Sequence, residues 1–572
     1  MTCPNGGAPT LVGHADREDL PRPAGVRGEG ANGAGDAAGA MGEPAVGAAD
    51  AGASRRWVPP FALRDDQALG FDEAVERVTA ALCFGIDLTL ETTQEIMAEL
   101  GHPERCYRCL QIAGTNGKTS TSRYTAALLR GEGLRVGLYT SPHLVSYAER
   151  MEVDGAPVSE EAFARGVSWA LAAWERVQAR NAEMARLGCT EFELLTAAAM
   201  AVYAEAGVDV AVLEVGLGGR WDATSAVPTC GCCVTGIGLD HMKILGDTLG
   251  QIAGEKAAVI HAGNPCVLGP DAARPAEVLD VMLAQCADEG VTPTVVVVDD
   301  DEVLPGAADL PRTSVRVTHR PDHLGDELAL DVEVSVGVPG VPAGTGGRAD
   351  AEDTRGDVEP GADDNAAHVP CGSQRPSDAP RLVSARYENV CLVAPDYQAA
   401  NVACALSLAT AVLGRPLDVA AARAAIASCP TPGRFDVVRA EPLILLDACH
   451  NPQSAAAFAR ALQEVEPDKA ARPTLLFATL ADKDHRGIAQ ILAPLFERIV
   501  VTQSDSPRAL SAEELAAEVG ELCGGPGQGS PELTVISDAE QALRHVVDGP
   551  FICCGTITLI GQVKGLLQRR PR

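Results

Sequence analysis

The sequence predicts an α/β protein with two domains, each built on a parallel sheet, and three features carry that expectation. Short apolar runs alternate with helical patterns, the order of strand-helix-strand units. The alternation breaks around Pro430, Pro432 and Gly433 and then restarts. One strand also runs straight into a glycine turn that opens a helix, at Leu110-Gln111-Ile112-Ala113-Gly114-Thr115-Asn116-Gly117-Lys118-Thr119-Ser120-Thr121.

Residues 1–56 are Gly, Ala, Pro and acids with almost no large apolar side chains, so burial cannot offset chain entropy and the segment is expected to be disordered. Residues 57–431 form the first domain. Its strands are Leu110–Ala113, Val136–Tyr139 and Val208–Glu214, with helices from Thr119 and around Phe192–Ala206. A second low-complexity stretch, 338–380, separates Leu330-Val332-Val334-Val336 from the strand-like Leu382–Leu392 and reads as a disordered insertion at a hairpin tip. Residues 432–572 form the smaller domain, with strands Leu443–Leu446, Thr474–Phe477, Ile499–Thr502 and Phe551–Cys554 and a helical pattern at Ser454–Val465. The Pro-Gly punctuation between the domains suits a hinge.

A net charge of −32, from 78 acidic against 46 basic residues, excludes a nucleic-acid or anionic-membrane surface as the main partner. Met1 begins no basic-then-apolar leader, and no run reaches the ~20 apolar residues of a membrane span, so a cytoplasmic protein is expected. The 18 cysteines are scattered, many in apolar strands, and read as small buried side chains rather than a disulfide framework. Cys106-x-x-Cys109 and the cluster Cys230, Cys232, Cys233 have no second pair at zinc-finger spacing.

The segment Gly114–Ser120 is a phosphate-binding loop. Gly114 and Gly117 let backbone N–H groups turn inward, the helix start adds its positive end, and Lys118 reaches the outer phosphates. A hydroxyl at Thr119 or Ser120 is placed to hold Mg²⁺. Only the shorter Gly-x-x-Gly-Lys-Thr form is present, since Ile112 occupies the usual first-glycine position. Ligands of parallel sheets bind at the carboxyl ends of strands. Three such ends are polar here: Tyr139-Thr140-Ser141-Pro142-His143, Glu214-Val215-Gly216-Leu217-Gly218-Gly219, and Leu239-Asp240-His241. Taken singly, Ser141 before proline is an ordinary turn residue, His241 a hydrogen-bonding histidine, and Lys256 a solvated lysine on a helix. Glu214 is harder to dismiss, because an acid ending an apolar strand is costly unless paired or metal-bound.

In order and spacing these segments resemble folylpolyglutamate synthase and dihydrofolate synthase, the folate branch of the Mur ligase family. The likeness covers about 71–266 and 397–567. It also takes in Phe84-Gly85-Ile86, Gly433-Arg434-Phe435, Asp447-Ala448-Cys449-His450-Asn451-Pro452, Ala481-Asp482-Lys483-Asp484 and Asp505–Leu510. The resemblance implies a P-loop Mur-ligase-type central domain, a Rossmann-like C-terminal domain, and an ATP-dependent amide ligase acting as a monomer. By similarity Gly114, Thr115, Asn116, Gly117, Lys118, Thr119 and Ser120 hold the nucleotide's phosphates, with Asn401, Arg434 and Asp447 as further nucleotide contacts. Ser141, Glu214 and His241 match Mg²⁺ ligands, Lys256 matches a lysine that carries a carbamate, and His450 lies at the lobe interface. The usual Gly-Lys-Gly-Ser is here Gly-Lys-Thr-Ser, and Gly-Ala-His-Asn is Ala448-Cys449-His450-Asn451; neither change removes a charge.

The implied reaction moves the γ-phosphoryl of ATP to a substrate carboxylate and lets the amine of L-glutamate displace phosphate from the acyl phosphate. The acid is dihydropteroate, a reduced folate, or both. Arg508 is a candidate partner for glutamate's carboxylate, and Phe84 and Phe192 for the pteridine, although a surface arginine and core aromatics are the plain readings of those three. A peptidoglycan Mur ligase is the nearest rival; it needs a nucleotide-sugar domain ahead of the loop, for which Trp57–Cys109 is too short. A nucleotide-binding scaffold without catalysis is the other.

Overall fold

The computed structural model describes residues 57–81, 89–299, 301–338, 381–524 and 530–569. The segments expected to be disordered lie outside these, except Val338, which ends a strand. The chain divides into two compact units: Met1–Tyr107 with Ser159–Val208, and Arg108–Val158 with Asp209–Arg572.

The first unit is helical, with helices Phe71–Ala80, Glu91–Glu99, Glu160–Arg180 and Glu191–Ala206. Ser159 and Thr190 cap the two long helices, each accepting a backbone N–H three residues on. Edge-on ring pairs Trp57–Trp169 at 5.2 Å and Phe71–Phe163 at 5.5 Å fix the packing. Trp57 Nε1 donates to Leu100 O at 3.2 Å.

The second unit holds two sheets. The larger contains β1 (Arg108–Ala113), β2 (Val136–Tyr139), β3 (Met151–Val153), β4 (Ala156–Pro157), β5 (Val210–Glu214), β6 (Cys232–Gly236), β7 (Cys266–Asp271), β8 (Thr294–Val298), β9 (Arg312–His319), β10 (Leu328–Val338) and β11 (Arg381–Leu392). Its order is β11-β10-β9-β8-β7-β6-β1-β5-β2-β3-β4, parallel from β9 to β2 and antiparallel at both margins. The central strands read as unbroken apolar runs because both faces are covered. Along β6, Cys233 faces one core, with helices Lys118–Gly131 and Gln398–Leu413. Cys232 and Val234 face the other, with helices Leu249–Ala257 and Ala276–Asp288. Adjacent cysteines on opposite faces cannot share one metal ion. The described cysteines are free thiols.

In the smaller sheet β12 (Asp436–Arg439), β13 (Ile444–Asp447), β14 (Thr474–Phe477), β15 (Arg498–Gln503), β16 (Glu532–Asp538) and β17 (Phe551–Cys554) run in the order β12-β13-β17-β14-β15-β16. All neighbours are parallel except β12 with β13. Leu445 faces one core of this sheet, Ile444 and Leu446 the other.

β10 and β11 form the expected hairpin, with Val338 opposite Arg381. A short turn can close that register, so deleting 339–377 is expected to leave turnover largely intact in a steady-state assay; a collapse of turnover would show the insertion to be functional. Among the described residues no helix is long and apolar enough to cross a membrane.

Candidate active site

The loop after β1 is shaped by contacts that leave no room for side chains at its glycines. A Cβ on Gly114 (φ +146°) would lie 2.0 Å from Thr235 Oγ1, and one on Gly117 (φ +83°) 2.4 Å from Asn401 Oδ1. Thr235 Oγ1 donates to Asn116 O at 2.6 Å, and Thr115 N donates to Gly236 O at 2.7 Å, so the end of β6 carries the loop. Gly117 caps helix Lys118–Gly131 without a side-chain hydrogen bond, leaving the first N–H groups for an anion.

Two lysines converge on one carbonyl. Lys118 Nζ donates to Gly114 O at 3.0 Å and Thr115 O at 3.2 Å, and Lys256 Nζ donates to Gly114 O at 2.9 Å. Lys256 is not the solvated lysine its helix suggests: it is 5% exposed, and burial, followed by the neighbouring Lys118 charge, lowers its pKa to about 7. Burial also lowers the pKa of Lys118, against the pull of Glu214.

Glu214 ends β5 beside the loop at 2% exposure. Its Oε1 accepts from Thr119 Oγ1 at 2.8 Å and its Oε2 from Ser141 N at 3.3 Å. Burial raises its pKa, and Lys118 opposes the rise. Thr119 rather than Ser120 is therefore the hydroxyl at the acid. Ser120 is buried and accepts from Gln398 Nε2 at 3.2 Å, because the residue after Thr119 on the helix points to the core. Among the described residues no three His, Cys, Asp or Glu side chains gather closely enough to hold a metal by themselves. One carboxylate with hydroxyls nearby, completed by phosphate oxygens and water, is a donor set that fits Mg²⁺.

His241 lies in the loop beyond β6, just before the short helix Met242–Leu245, with its side chain 46% exposed and Nε2 3.9 Å from Asp240 Oδ2; desolvation lowers its pKa to about 4. Asp240 is the more engaged residue. Lys483 Nζ donates to its Oδ1 at 2.8 Å, and His450 Nε2 lies 3.8 Å from its Oδ2. Burial pushes the Asp240 carboxyl up, but His241, Lys483 and His450 outweigh it and hold it below the carboxylate range.

The smaller sheet's strand ends meet the loop from the other side. Asn116 Oδ1 accepts from Asn451 Nδ2 at 3.0 Å, and Asn116 Nδ2 donates to Gln453 Oε1 at 2.9 Å. His450 is kept neutral, its pKa lowered to about 3 by burial and then by Arg434 and Lys483. Thr119, Ser141, His143 and Arg434 line one cleft together with Arg123.

Asp447 is 5% exposed, with both oxygens engaged inside the protein: Oδ2 by Phe435 N at 2.8 Å and Tyr397 Oη at 3.1 Å, Oδ1 by Cys449 N at 3.1 Å. Asn401 lies beneath Gly117, accepting from Thr121 Oγ1 at 3.3 Å and donating to Gln398 Oε1 at 2.8 Å. Arg508 is exposed and paired with Asp482 at 2.5 Å, so its charge is already answered locally. Phe192 is half-buried in the helical unit, and Phe84 lies outside the described residues.

Sequence reasoning singled out the segments that hold Asp240 and Lys483 but gave neither side chain a role, and it passed over Gln453; what no local pattern shows is that these residues meet across the ends of different sheets. It also missed Asp222, whose Oδ2 accepts from Gly216 N at 3.0 Å and Leu217 N at 2.9 Å and so fixes the glycine turn after Glu214.

Residues 433–550 match the Mur ligase glutamate ligase domain. The chain is 33% identical over 452 residues to the dihydrofolate synthase/folylpolyglutamate synthase of Mycobacterium tuberculosis, covering 77% of this chain and 79% of that protein. It is 30% identical to the folylpolyglutamate synthase of Lacticaseibacillus casei, over 82% of this chain and 92% of the relative. The crystal structure of Mycobacterium tuberculosis folylpolyglutamate synthase complexed with ADP and AMPPCP superposes with a TM-score of 0.68 at 28% identity, covering 88% of this chain and 100% of the other. Matched along most of its length in sequence and in fold, the chain belongs to the folylpolyglutamate synthase and dihydrofolate synthase family, the folate branch of the Mur ligases.

Proposed function

We propose that this protein is an ATP-dependent ligase that joins L-glutamate to the carboxyl group of dihydropteroate, of reduced folates, or of both. The observation that carries the reading is the convergence of Lys118, Lys256 and Glu214 on one glycine loop that the second sheet's Asn451 and Gln453 also grip. Residues 57–431 are the nucleotide-binding part and 432–572 the glutamate-ligase part.

A carboxylate resists attack by an amine, so its oxygen must first become a leaving group. The loop N–H groups and Lys118 bind and orient the triphosphate, and Lys118 stabilises charge on the transferring phosphoryl group. Ser141, Glu214 and Thr119, with His241 alongside, would hold Mg²⁺, which supplies charge neutralisation on the phosphate oxygens. Transfer yields an acyl phosphate and ADP. Glutamate's amine attacks the acyl carbon, the C–O bond to phosphate breaks, and the amine's proton is lost. Arg434 and neutral His450 close the site from the second sheet and exclude water.

Lys256 carries a carbamate in this reading. The reaction CO₂ + R–NH₂ → R–NH–COO⁻ + H⁺ needs an uncharged amine, and a lysine with a pKa near 7 supplies one at neutral pH. The product anion would sit beside the Lys118 ammonium. Lysine is scarce in this chain, with only six in 572 residues, so ¹³C NMR in ¹³C-bicarbonate is easily assigned. One carbamate resonance is expected, growing as pH rises through about 7 and missing in Lys256→Arg. A spectrum without it across that range would remove the modification.

Function itself is tested by incubating the protein with Mg-ATP and glutamate, offering dihydropteroate and tetrahydrofolate separately, and weighing the products. A gain of one glutamyl residue on either acid is expected. ATP binding with no amide from either would favour the scaffold.

A further inference from the structure

The ion pair between Asp240 and Lys483 joins the two sheets of the site and is used by none of the steps above. Asp240 follows β6, which carries the phosphate loop; Lys483 follows β14 of the smaller sheet. Their side chains are only 12% and 15% exposed, with Nζ 2.8 Å from Oδ1. Among the described residues the side-chain hydrogen bonds from the loop's Asn116 to the smaller sheet's Asn451 and Gln453 join neutral amides. A charged pair with so little solvent is screened weakly, and removing one partner leaves a buried charge unanswered.

We propose that Asp240 and Lys483 form the latch that keeps the smaller sheet closed over the reacting carboxylate, making both of them positioning residues that protect the acyl phosphate from water. The inference rests on the ligase reading. The same carboxylate also faces His450, whose Nε2 is 3.8 Å from Oδ2 while the Lys483 ammonium holds Oδ1. The chain otherwise prefers arginine: four of its six lysines, at 118, 256, 483 and 564, hold the contacts described at the loop, this pair, or the Asp436 ion pair.

When the latch opens early, water takes the place of glutamate's amine. Attack of water on the acyl phosphate returns the starting acid and inorganic phosphate, so ATP is consumed and no amide bond forms. The diagnostic quantity is therefore the ratio of phosphate released to amide formed, which a merely destabilised enzyme does not change.

The test measures that ratio for wild type, Asp240→Asn, Lys483→Met, Lys483→Arg and the Asp240→Asn/Lys483→Met double variant, each checked for folding by circular dichroism and for ATP-analogue binding. Wild type should release one phosphate per amide. Asp240→Asn and Lys483→Met should raise the ratio on the order of tenfold, Lys483→Arg should restore much of the coupling, and the double variant should be no worse than either single one. Ratios that stay at the wild-type value in folded Asp240→Asn and Lys483→Met, whatever their turnover, overturn the latch alone. A wild type that makes no amide overturns the ligase reading and the latch with it.

Discussion

Lys118→Ala is expected to reduce turnover by at least ~100-fold, the loss typical of removing one preorganised donor from a developing charge. Lys118 is tied by hydrogen bonds to Gly114 O and Thr115 O in the loop and faces Glu214, so the alanine variant loses the ammonium while keeping the glycine turn, which is held by Thr235 and Gly236. Lys118→Arg should not rescue it, because a forked guanidinium cannot replace a point charge seated on two carbonyls. Single-turnover kinetics separate the effects: phosphoryl transfer should slow, while the melting temperature stays close to wild type. Near-normal turnover in Lys118→Ala would refute the role given to this side chain.

Glu214→Gln is the second large effect. The carboxylate accepts from Thr119 Oγ1 and Ser141 N on its two oxygens, and glutamine must turn an N–H₂ toward one of those donors. The substitution also removes the only carboxylate among the four residues proposed to hold Mg²⁺. Apparent Mg²⁺ affinity, read from the activity titration, should weaken on the order of 10- to 100-fold. The sign of the pH effect follows from burial, which raises the Glu214 pKa. As pH falls this carboxylate protonates before ordinary ones, so metal dependence should become steeper on the acid side in wild type and lose that acid limb in Glu214→Gln. An unchanged Mg²⁺ titration would remove Glu214 from the ligand set.

The parts of the molecule written locally were legible in the sequence. The strand Val136–Tyr139 is framed by a glycine before it and a serine-proline after it, and Thr474–Phe477 and Phe551–Cys554 are short apolar runs of strand length; all three have the limits their patterns suggest. The loop from Gly114 to Lys118 announces itself because its glycines meet a steric demand, which the contacts to Thr235 and Asn401 express. What the sequence hides is which way a side chain leaves its element. Lys256 sits on a nine-residue helix that looks solvated, yet the helix packs so that this lysine reaches the loop carbonyl. Ser120 and Thr119 are neighbours in a motif, but successive helical positions point about 100° apart, and only one meets the acid.

Contacts between elements far apart in the chain were also beyond reach. Asp240 and Lys483 are separated by 243 positions, and no periodicity links them. Arg508 drew attention as a lone cation after a strand, but Asp482 lies across the same surface and pairs with it. Such partners follow from strand order in the smaller sheet, where β14 and β15 are neighbours, rather than from any motif.

The central claim is that ATP activates a carboxylate as an acyl phosphate inside this site, and isotope transfer tests it most directly. Dihydropteroate or tetrahydrofolate bearing ¹⁸O in the reacting carboxylate is turned over with Mg-ATP and glutamate, and the released phosphate is weighed. One carboxylate oxygen should appear in each inorganic phosphate, because the bond that breaks on amide formation is the acyl carbon–oxygen bond. Phosphate free of label, or label carried into AMP, would contradict the account.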